Sequence, residues 1–297
     1  MPLAPVPRRP QRLVFLGTPE VAVPPLRALV ESGFPVDLVV TRVDKRRGRG
    51  SVVAPSPVKA AALELGLPVS HRVDDVLESN SDLGVVVAFG QIIKPHVLER
   101  LAMVNLHFSL LPRWRGAAPM ERALLAGDAE TGVCLMQLEE GLDTGPVFGC
   151  ERVPIGARTT AAELREALVG AGTGLLVRSL LEGLGEPRPQ EGEPTHAPKI
   201  HPDELRLRWD RPAVELDRLV RLGNAFTTFR GRRLKVVAAE PVAVSLPLGE
   251  LHDDAVGTCA GGLRLIAVQP EGKGSMSFGA WRNGAHPVPG EHLGSES

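Results

Sequence analysis

The chain has 297 residues, of which 43% are hydrophobic and 23% are charged, and its formal net charge at pH 7 is −1. This composition excludes a disordered chain and a chain that is basic throughout, and the length predicts about two domains. No apolar run approaches the ~20 residues of a membrane span, so we expect no membrane segment.

The cysteines and the N-terminal residues indicate the expected cellular location of the protein. Cys134, Cys150 and Cys259 form no C-x-x-C pair, so neither a structural metal nor a disulfide framework is expected, and a reducing cytoplasm is the expected location. Residues 1–11 are basic and rich in proline, and the apolar segment that follows is too short for a signal peptide. We interpret these eleven residues as a flexible leader.

The chain after the leader predicts alternating strands and helices. An apolar strand at 13–16 precedes a helix that ends at Gly33; a strand at 35–41, a helix over 56–66 and a continuous apolar strand at 83–90 follow. Parallel neighbours need crossover helices, so this order predicts a doubly wound, mostly parallel, Rossmann-like sheet with ligands at the carboxyl ends of its strands. The first turn lacks G-x-G-x-x-G, which argues against a dinucleotide site.

The second half predicts two further strands, a long helix and then a change of composition. The strands cover 131–138 and 146–153, and the helix begins at the capping box of Thr160 and Glu163. We assign 12–186 to the first domain, the proline-rich residues 187–207 to a linker, and 208–297 to a small OB-like β-barrel. Residues 206–235, at the front of that barrel, contain nine basic and three acidic residues.

Asn105 and His107 are polar residues within the apolar stretch V-N-L-H-F. Side chains two apart in a strand emerge on the same face, so an amide and an imidazole would lie side by side at the end of a parallel strand. Both groups can donate a hydrogen bond to an oxygen that becomes negative during a reaction. The alternative interpretation is that His107 is a core residue whose hydrogen bonds are satisfied within the protein.

Asp143 is the third candidate for chemistry. It lies in G-L-D-T-G, where the glycines would let the backbone approach a ligand closely. A carboxylate near His107 would favour the charged imidazole and could accept a proton. The alternative for this loop is an ordinary hairpin turn.

Several longer motifs carry a resemblance to a known family. They are F-L-G-T-P-E (15–20), P-S-P-V-K (55–59), V-V-V-A-F-G (85–90), N-L-H-F-S-L-L-P-R-W-R-G-A-A-P (105–119), G-L-D-T-G (141–145) and A-P-K-I (197–200). With them the chain resembles the methionyl-tRNA formyltransferase family, within the folate-dependent formyltransferase superfamily, over nearly its whole length. The N-x-H-x-S-L-L-P block marks the superfamily, whereas its extension through P-R-W-R-G-A-A-P is specific to the tRNA branch.

The resemblance implies transfer of a formyl group from 10-formyltetrahydrofolate to the amine of methionyl-initiator-tRNA, without a metal. It makes Asn105, His107 and Asp143 the catalytic residues: the first two stabilise an oxyanion, and Asp143 holds His107 charged and helps to remove the proton of the amine. No nucleophilic serine is required, so Ser109 would shape its turn. The residues that the resemblance assigns to folate binding are Ser109, Leu110, Leu111, Pro112, Phe89, Gly90, Ile92 and Leu142.

The resemblance also implies contacts to tRNA. The expected contacts are Lys45, Arg46 and Arg49 in a basic loop, Arg113 and Arg115 around Trp114, and Arg232, Arg233 and Lys235 in the second domain. The basic loop could instead be a run of solvated charges without a partner molecule. Trp114 could instead anchor its own loop structurally. The second domain departs from the family pattern at N-A-F-T-T-F (224–229) and at Gly274, where many relatives have lysine.

Two other functions stay open. A sugar-nucleotide N-formyltransferase would share the three catalytic residues and the folate donor, but the chain has no evident nucleotide-sugar motif. A non-catalytic RNA-binding protein would be expected to lack one of Asn105, His107 and Asp143, and all three are present. The expected form of the protein is a cytoplasmic monomer without membrane association.

Overall fold

A computed structural model describes residues 2–46 and 53–295 of the chain. The fold consists of two compact units. The first comprises residues 1–120, 130–154 and 165–198, and the second comprises residues 121–129, 155–164 and 199–297. Within the described residues, no helix combines the length and the apolar character needed to cross a membrane.

The first unit is built on a seven-stranded sheet that is mostly parallel. The strands are β1 (Leu13–Gly17), β2 (Val36–Val40), β5 (Val69–Ser70), β6 (Leu83–Val87), β7 (Met103–His107), β9 (Glu130–Gln137) and β10 (Val147–Pro154). Their order in the sheet is β10-β9-β7-β6-β1-β2-β5, in which the five strands from β7 to β5 are parallel, and β9 and β10 are antiparallel to their neighbours. All residues of β1, β6 and β7 are buried, as expected for central parallel strands.

Within the described residues, two short ribbons and five α-helices also lie between residues 23 and 197. The ribbons are β3 (Lys45–Arg46) with β4 (Val53–Ala54) and β8 (Arg115–Gly116) with β11 (His196–Ala197), and the α-helices are α1 (Val23–Glu31), α2 (Pro57–Glu64), α3 (Pro95–Leu98), α4 (Pro119–Ala126) and α5 (Ala161–Glu182). The hydroxyl of Ser56 accepts from the N–H of Lys59 and caps α2, with Pro57 in its first turn. Short 3₁₀ segments occur at Glu20–Ala22, Val73–Glu78 and Pro202–Leu205. The predicted doubly wound sheet is confirmed.

The N-terminal residues, predicted to form a flexible leader, make backbone hydrogen bonds to the rest of the first unit. The N–H of Ala4 donates to the carbonyl of Leu98 at 2.9 Å, and the N–H of Leu184 donates to the carbonyl of Arg8 at 2.7 Å. Leu3 packs against the core cluster that surrounds Val14. The leader has its own backbone partners and an apolar contact, which composition alone did not reveal.

The cysteines also differ from the prediction. Cys134 on β9 and Cys150 on β10 lie directly opposite each other in the antiparallel register and form a disulfide, while Cys259 is free and exposed. The prediction that no disulfide forms is therefore wrong. The two cysteines are separated by 16 residues, and only the register of the two strands brings them together.

The second unit contains a six-stranded antiparallel sheet, and its elements are α6 (Ala213–Arg221), β12 (Phe226–Phe229), β13 (Arg232–Val242), β14 (Leu251–His252), β15 (Ala255–Gly257), β16 (Gly262–Pro270), β17 (Met276–Ser277) and α7 (Phe278–Ala285). The order of the strands is β12-β13-β16-β15-β14, with β17 beside β16. The ring of Trp281 packs edge-on against Phe229, with a centroid separation of 4.9 Å, in a core that also contains Leu216 of α6. The predicted β-rich second domain is confirmed.

Candidate active site

Strand β7 carries Asn105 and His107 to the carboxyl end of the parallel part of the sheet. Asn105 lies between Val86 of β6 and Met136 of β9, and His107 lies opposite Cys134 of β9. Asn105 is 9% exposed and His107 is 5% exposed. The alternation of the strand places both side chains on one face, as predicted, at the edge where such sheets bind ligands.

The imidazole of His107 is oriented by partners at both ring nitrogens. Nε2 lies 2.9 Å from the carbonyl oxygen of Trp114, and Nδ1 lies 3.5 Å from Oδ2 of Asp143. Because a carbonyl only accepts hydrogen bonds, Nε2 carries the proton of this contact. Nδ1 therefore faces the carboxylate, and its 3.5 Å separation leaves it weakly engaged there.

Asp143 is held by its own loop and by a neighbouring segment. Its Oδ2 accepts a hydrogen bond from the N–H of Gly116 at 2.8 Å, and its backbone is left-handed, with φ at 54°. A Cβ on Gly145 would lie 2.0 Å from the carbonyl oxygen of Gln137. This loop therefore packs so closely on β9 that only glycine fits at 145, and the site joins an amide, an imidazole and a carboxylate in fixed positions.

Ser109 makes a hydrogen bond across its own turn. Its side chain is completely buried, and its hydroxyl donates to the carbonyl of Arg113 across the turn that contains Leu110, Leu111 and Pro112. These three residues are partly exposed, and the peptide bond between Leu111 and Pro112 is cis. The turn thus presents apolar side chains while the hydroxyl of Ser109 is used internally.

The other residues predicted to bind folate fall into two groups. Phe89 is 3% exposed and belongs to a core cluster of the first unit, and the carbonyl of Gly90 accepts from the guanidinium of Arg42. In contrast, the side chains of Ile92 and Leu142 are 90% and 67% exposed. Ile92 and Leu142 therefore offer apolar surface to a ligand, whereas the ring of Phe89 supports its loop from the core.

The predicted tRNA residues of the first unit have different surroundings. Arg49 lies outside the described residues, and so do the side chains of Lys45 and Arg46. The guanidinium of Arg113 lies 4.6 Å from the centre of the Trp114 ring. The guanidinium of Arg115 instead donates to the side-chain oxygen of Gln190, at 2.7 and 3.1 Å, which gives Arg115 a structural task.

The predicted tRNA residues of the second unit lie on β13. Arg232 and Arg233 are exposed, and the guanidinium of Arg233 lies 3.7 Å from the centre of the Phe226 ring. The two arginines line a cavity of about 360 Å³ together with Lys273. Lys235 is partly exposed, and its ammonium donates to Asn224 at 3.1 Å. This strand therefore presents a basic surface with an aromatic ring within reach of it.

Sequence reasoning missed the contribution of Gln190 and Thr195. Both lie in the predicted linker, whose prolines and lack of periodicity gave no sign of a site. Gln190 contacts the loop of Asp143, and the hydroxyl of Thr195 accepts from the N–H of Trp114. The first unit extends to residue 198, so this part of the predicted linker belongs to it.

Among the residues that the structure describes, no group of three or more histidine, cysteine or acidic side chains could hold a metal ion. The candidate site consists of an amide, an imidazole and a carboxylate at the carboxyl edge of a mostly parallel sheet. Such a constellation suits acyl transfer in which donors stabilise an oxyanion and a carboxylate receives a proton.

Comparison with known proteins defines the family. The formyl transferase model matches residues 11–180, and the model of the formyl transferase C-terminal domain matches residues 199–286. The methionyl-tRNA formyltransferase of Thermobifida fusca is 44% identical over 310 residues, covering 96% of this chain and 100% of that protein. The chain belongs to the formyl transferase family.

Solved structures share the fold at low identity. The N-formyltransferase from Helicobacter canadensis in complex with folinic acid and dTDP-3-aminofucose has a TM-score of 0.67 and 17% identity, covering 87% of this chain and 98% of that one. HypX from Aquifex aeolicus in complex with tetrahydrofolic acid has a TM-score of 0.60 and 18% identity over 92% of this chain. The chain spans about half the length of HypX, at 47% of that chain.

Proposed function

We propose that this chain is a methionyl-tRNA formyltransferase, which transfers the formyl group of 10-formyltetrahydrofolate to the α-amine of methionyl-initiator-tRNA. The observation that carries the proposal is the set of Asn105, His107 and Asp143 at one sheet edge, with Nδ1 of His107 turned towards the carboxylate. The relatives with this name at 41–44% identity over nearly the full chain support the choice of substrate.

The chemistry needs donors for one oxygen and an acceptor for one proton. 10-Formyltetrahydrofolate supplies the formyl carbon; a bond forms from the methionine nitrogen to that carbon, the bond from the carbon to N10 breaks, and the proton of the amine ends on N10. Asn105 and protonated His107 donate hydrogen bonds to the oxygen that becomes negative. Asp143 stabilises the charged imidazole and accepts the proton of the amine, directly or through water, before that proton passes to N10.

The residues around the site fit a folate. A pteridine ring is flat and needs apolar contacts on its faces together with a few polar groups at its edge. Ile92 and Leu142 provide exposed apolar side chains, and the turn of Leu110, Leu111 and Pro112 is partly exposed. Ser109 stabilises this turn, and Phe89 and Gly90 stabilise the loop that carries Ile92.

Binding of tRNA requires positive charge that meets phosphates. In the first unit we assign this role to Arg113 and to the basic loop of Lys45, Arg46 and Arg49. In the second unit we assign it to Arg232, Arg233 and Lys235. Attraction of this kind falls steeply with salt and carries little sequence information. Arg115 supports the site through Gln190 and is a weaker candidate for a direct contact.

The decisive experiment compares two acceptors. The purified protein is given 10-formyltetrahydrofolate with either initiator methionyl-tRNA or a dTDP-amino sugar, and the formylated product is identified by mass spectrometry. We expect formylation of the tRNA-bound methionine alone. Formylation of the sugar alone would instead establish a sugar-nucleotide N-formyltransferase, the alternative function.

We also propose that the protein acts as a monomer in the cytoplasm. All three catalytic candidates come from one chain and lie within one compact unit, so the site needs no residue from a second copy. Light scattering of the purified protein should give a mass near 31.7 kDa. A mass twice as large would contradict the monomer.

A further inference from the structure

The segment from Arg188 to Ala197, here called the clasp, is bound to two segments that flank the candidate active site: the start of β10, which follows the Asp143 loop, and β8, which follows the turn after Ser109. Arg188 exchanges both backbone hydrogen bonds with Val147, at 2.7 and 2.8 Å. At its other end β11 pairs with β8, and the carbonyl of Ala197 accepts from two successive N–H groups, those of Ala117 and Ala118. The clasp therefore belongs to the site in structure, although its composition resembles that of a linker.

Gln190 joins the Asp143 loop to β8. Its Nε2 donates to the carbonyl of Asp143 at 2.9 Å and to that of Gly145 at 2.8 Å, and its Oε1 accepts from Arg115. The carbonyls only accept and the guanidinium only donates, so the amide has a single orientation. A glutamate at this position could not supply the two donors, and an asparagine would be one methylene too short.

Thr195 acts on the other side of the imidazole. Its Oγ1 accepts from the N–H of Trp114 at 2.8 Å, and the carbonyl of the same Trp114 receives the Nε2 proton of His107. The backbone of Trp114 is left-handed, with φ at 63°, which a bulky residue adopts only when its surroundings require it. Thr195 therefore helps to hold the carbonyl that orients the imidazole.

We propose that Gln190 and Thr195 are positioning residues for formyl transfer. Gln190 fixes the carboxylate of Asp143, and Thr195 fixes the face and the tautomer of His107, so the clasp sets the distance between the two groups. This inference rests on the proposed function for its kinetic effect, but the orientation of His107 can be measured without substrate.

The first test concerns Thr195. Thr195→Val keeps the shape of the side chain and removes the oxygen, whereas Thr195→Ser keeps the oxygen. Because small misplacements at a reacting centre cost up to about a hundredfold, we expect kcat to fall about tenfold or more in Thr195→Val, and to stay within about twofold of the unaltered chain in Thr195→Ser. KM for both substrates should change little. Equal kcat values in the two variants would overturn the role of the hydroxyl.

The second test concerns Gln190 and does not depend on the first. Gln190→Leu removes both donors at similar volume, and Glu191→Ala, at the exposed next position, is the matched control. We expect kcat to fall about ten- to a hundredfold in Gln190→Leu and to be unchanged in the control. A rise in KM for tRNA with normal kcat would instead make the clasp a substrate contact and would contradict the proposal.

A spectroscopic measurement separates this inference from the proposed function. Imidazole ¹⁵N shifts, recorded at a pH high enough to keep the imidazole neutral, report which ring nitrogen carries its single proton, and the signal of His107 is assigned by its loss in His107→Gln. In the unaltered chain we expect the proton on Nε2, and in Thr195→Val we expect a mixture of tautomers at unchanged melting temperature. The same tautomer in both would overturn the inference even if the enzyme formylates tRNA. A protein that formylates no tRNA but shows the shift would refute only the proposed function.

Discussion

The candidate active site of the first unit and the basic surface on β13 of the second use polar side chains in opposite ways. His107 is 5% exposed and contacts a backbone carbonyl and a carboxylate, whereas Arg232 and Arg233 are exposed and the guanidinium of Arg233 lies over the ring of Phe226. Acyl transfer needs donors at fixed positions, and attraction of phosphates needs only positive charge near the surface. Substitutions in the first region should therefore alter turnover, and those in the second should alter binding.

Loss of His107 tests the first half of this comparison most strongly. His107→Ala removes one of two oxyanion donors, so we expect kcat to fall by about a hundredfold or more, with little change in KM for tRNA. Single-turnover formylation measures this directly. His96→Ala is the control, because His96 is a half-exposed histidine of the same unit whose partner is Asp74. A tRNA affinity that falls as far as kcat would show that the two regions are not separate in function.

The packing of the Asp143 loop gives a second test. A Cβ at Gly145 would come 2.0 Å from a backbone oxygen, so Gly145→Ala must shift the loop that positions the carboxylate. We expect a loss of stability of about 1–3 kcal/mol and a fall in kcat of about tenfold or more, as for overpacked or misplaced groups. Gly185→Ala is the control, since a Cβ there meets nothing within 4 Å. Thermal melting and steady-state kinetics together decide whether the loop tolerates the change.

The basic surface should respond to salt instead. In Arg232→Ala combined with Arg233→Ala, we expect weaker tRNA binding and a salt dependence shallower by about one unit of slope per lost phosphate contact, with kcat at saturating tRNA unchanged. Arg264→Ala is the matched control, because that arginine already pairs with Glu240 and Asp254. If the salt dependence of tRNA binding is the same in the double variant, the two arginines make no phosphate contact and are ordinary solvent-exposed charges.

Features that depend on local spacing or on charge could be predicted from the sequence, whereas contacts between distant segments could not. Spacing predicted the pair of Asn105 and His107, because a strand has a period of two, and the run of apolar strands predicted the sheet. The pairing of Cys134 with Cys150 and the contacts of Gln190 depend on strand register and on a distant loop, which no local pattern encodes. Charge counting found the basic strand β13 but could not show that Arg115 is occupied by Gln190.

The ion pair of Arg230 and Glu291 tests how little an exposed contact contributes to the second unit. The hydrogen bonds from Arg230 hold the pKa of Glu291 below its usual value. The pair therefore contributes stability above the unfolded pKa of about 4.3, and this contribution is lost as the pH falls through the lower folded value.

We expect Glu291→Gln to lower the free energy of unfolding by about 0.2–1 kcal/mol at pH 7, the usual range for a partly exposed pair, and to make no difference once the pH is below the folded pKa. Urea unfolding at both pH values measures the change, with Glu271→Gln, at an exposed glutamate of the same unit, as the control. A difference that persisted at low pH would mean that the packing of residue 291, rather than its charge, stabilises this end of the unit. In that case the exposed pair would resemble the candidate active site of the first unit, because the position of the side chain would contribute more than its charge.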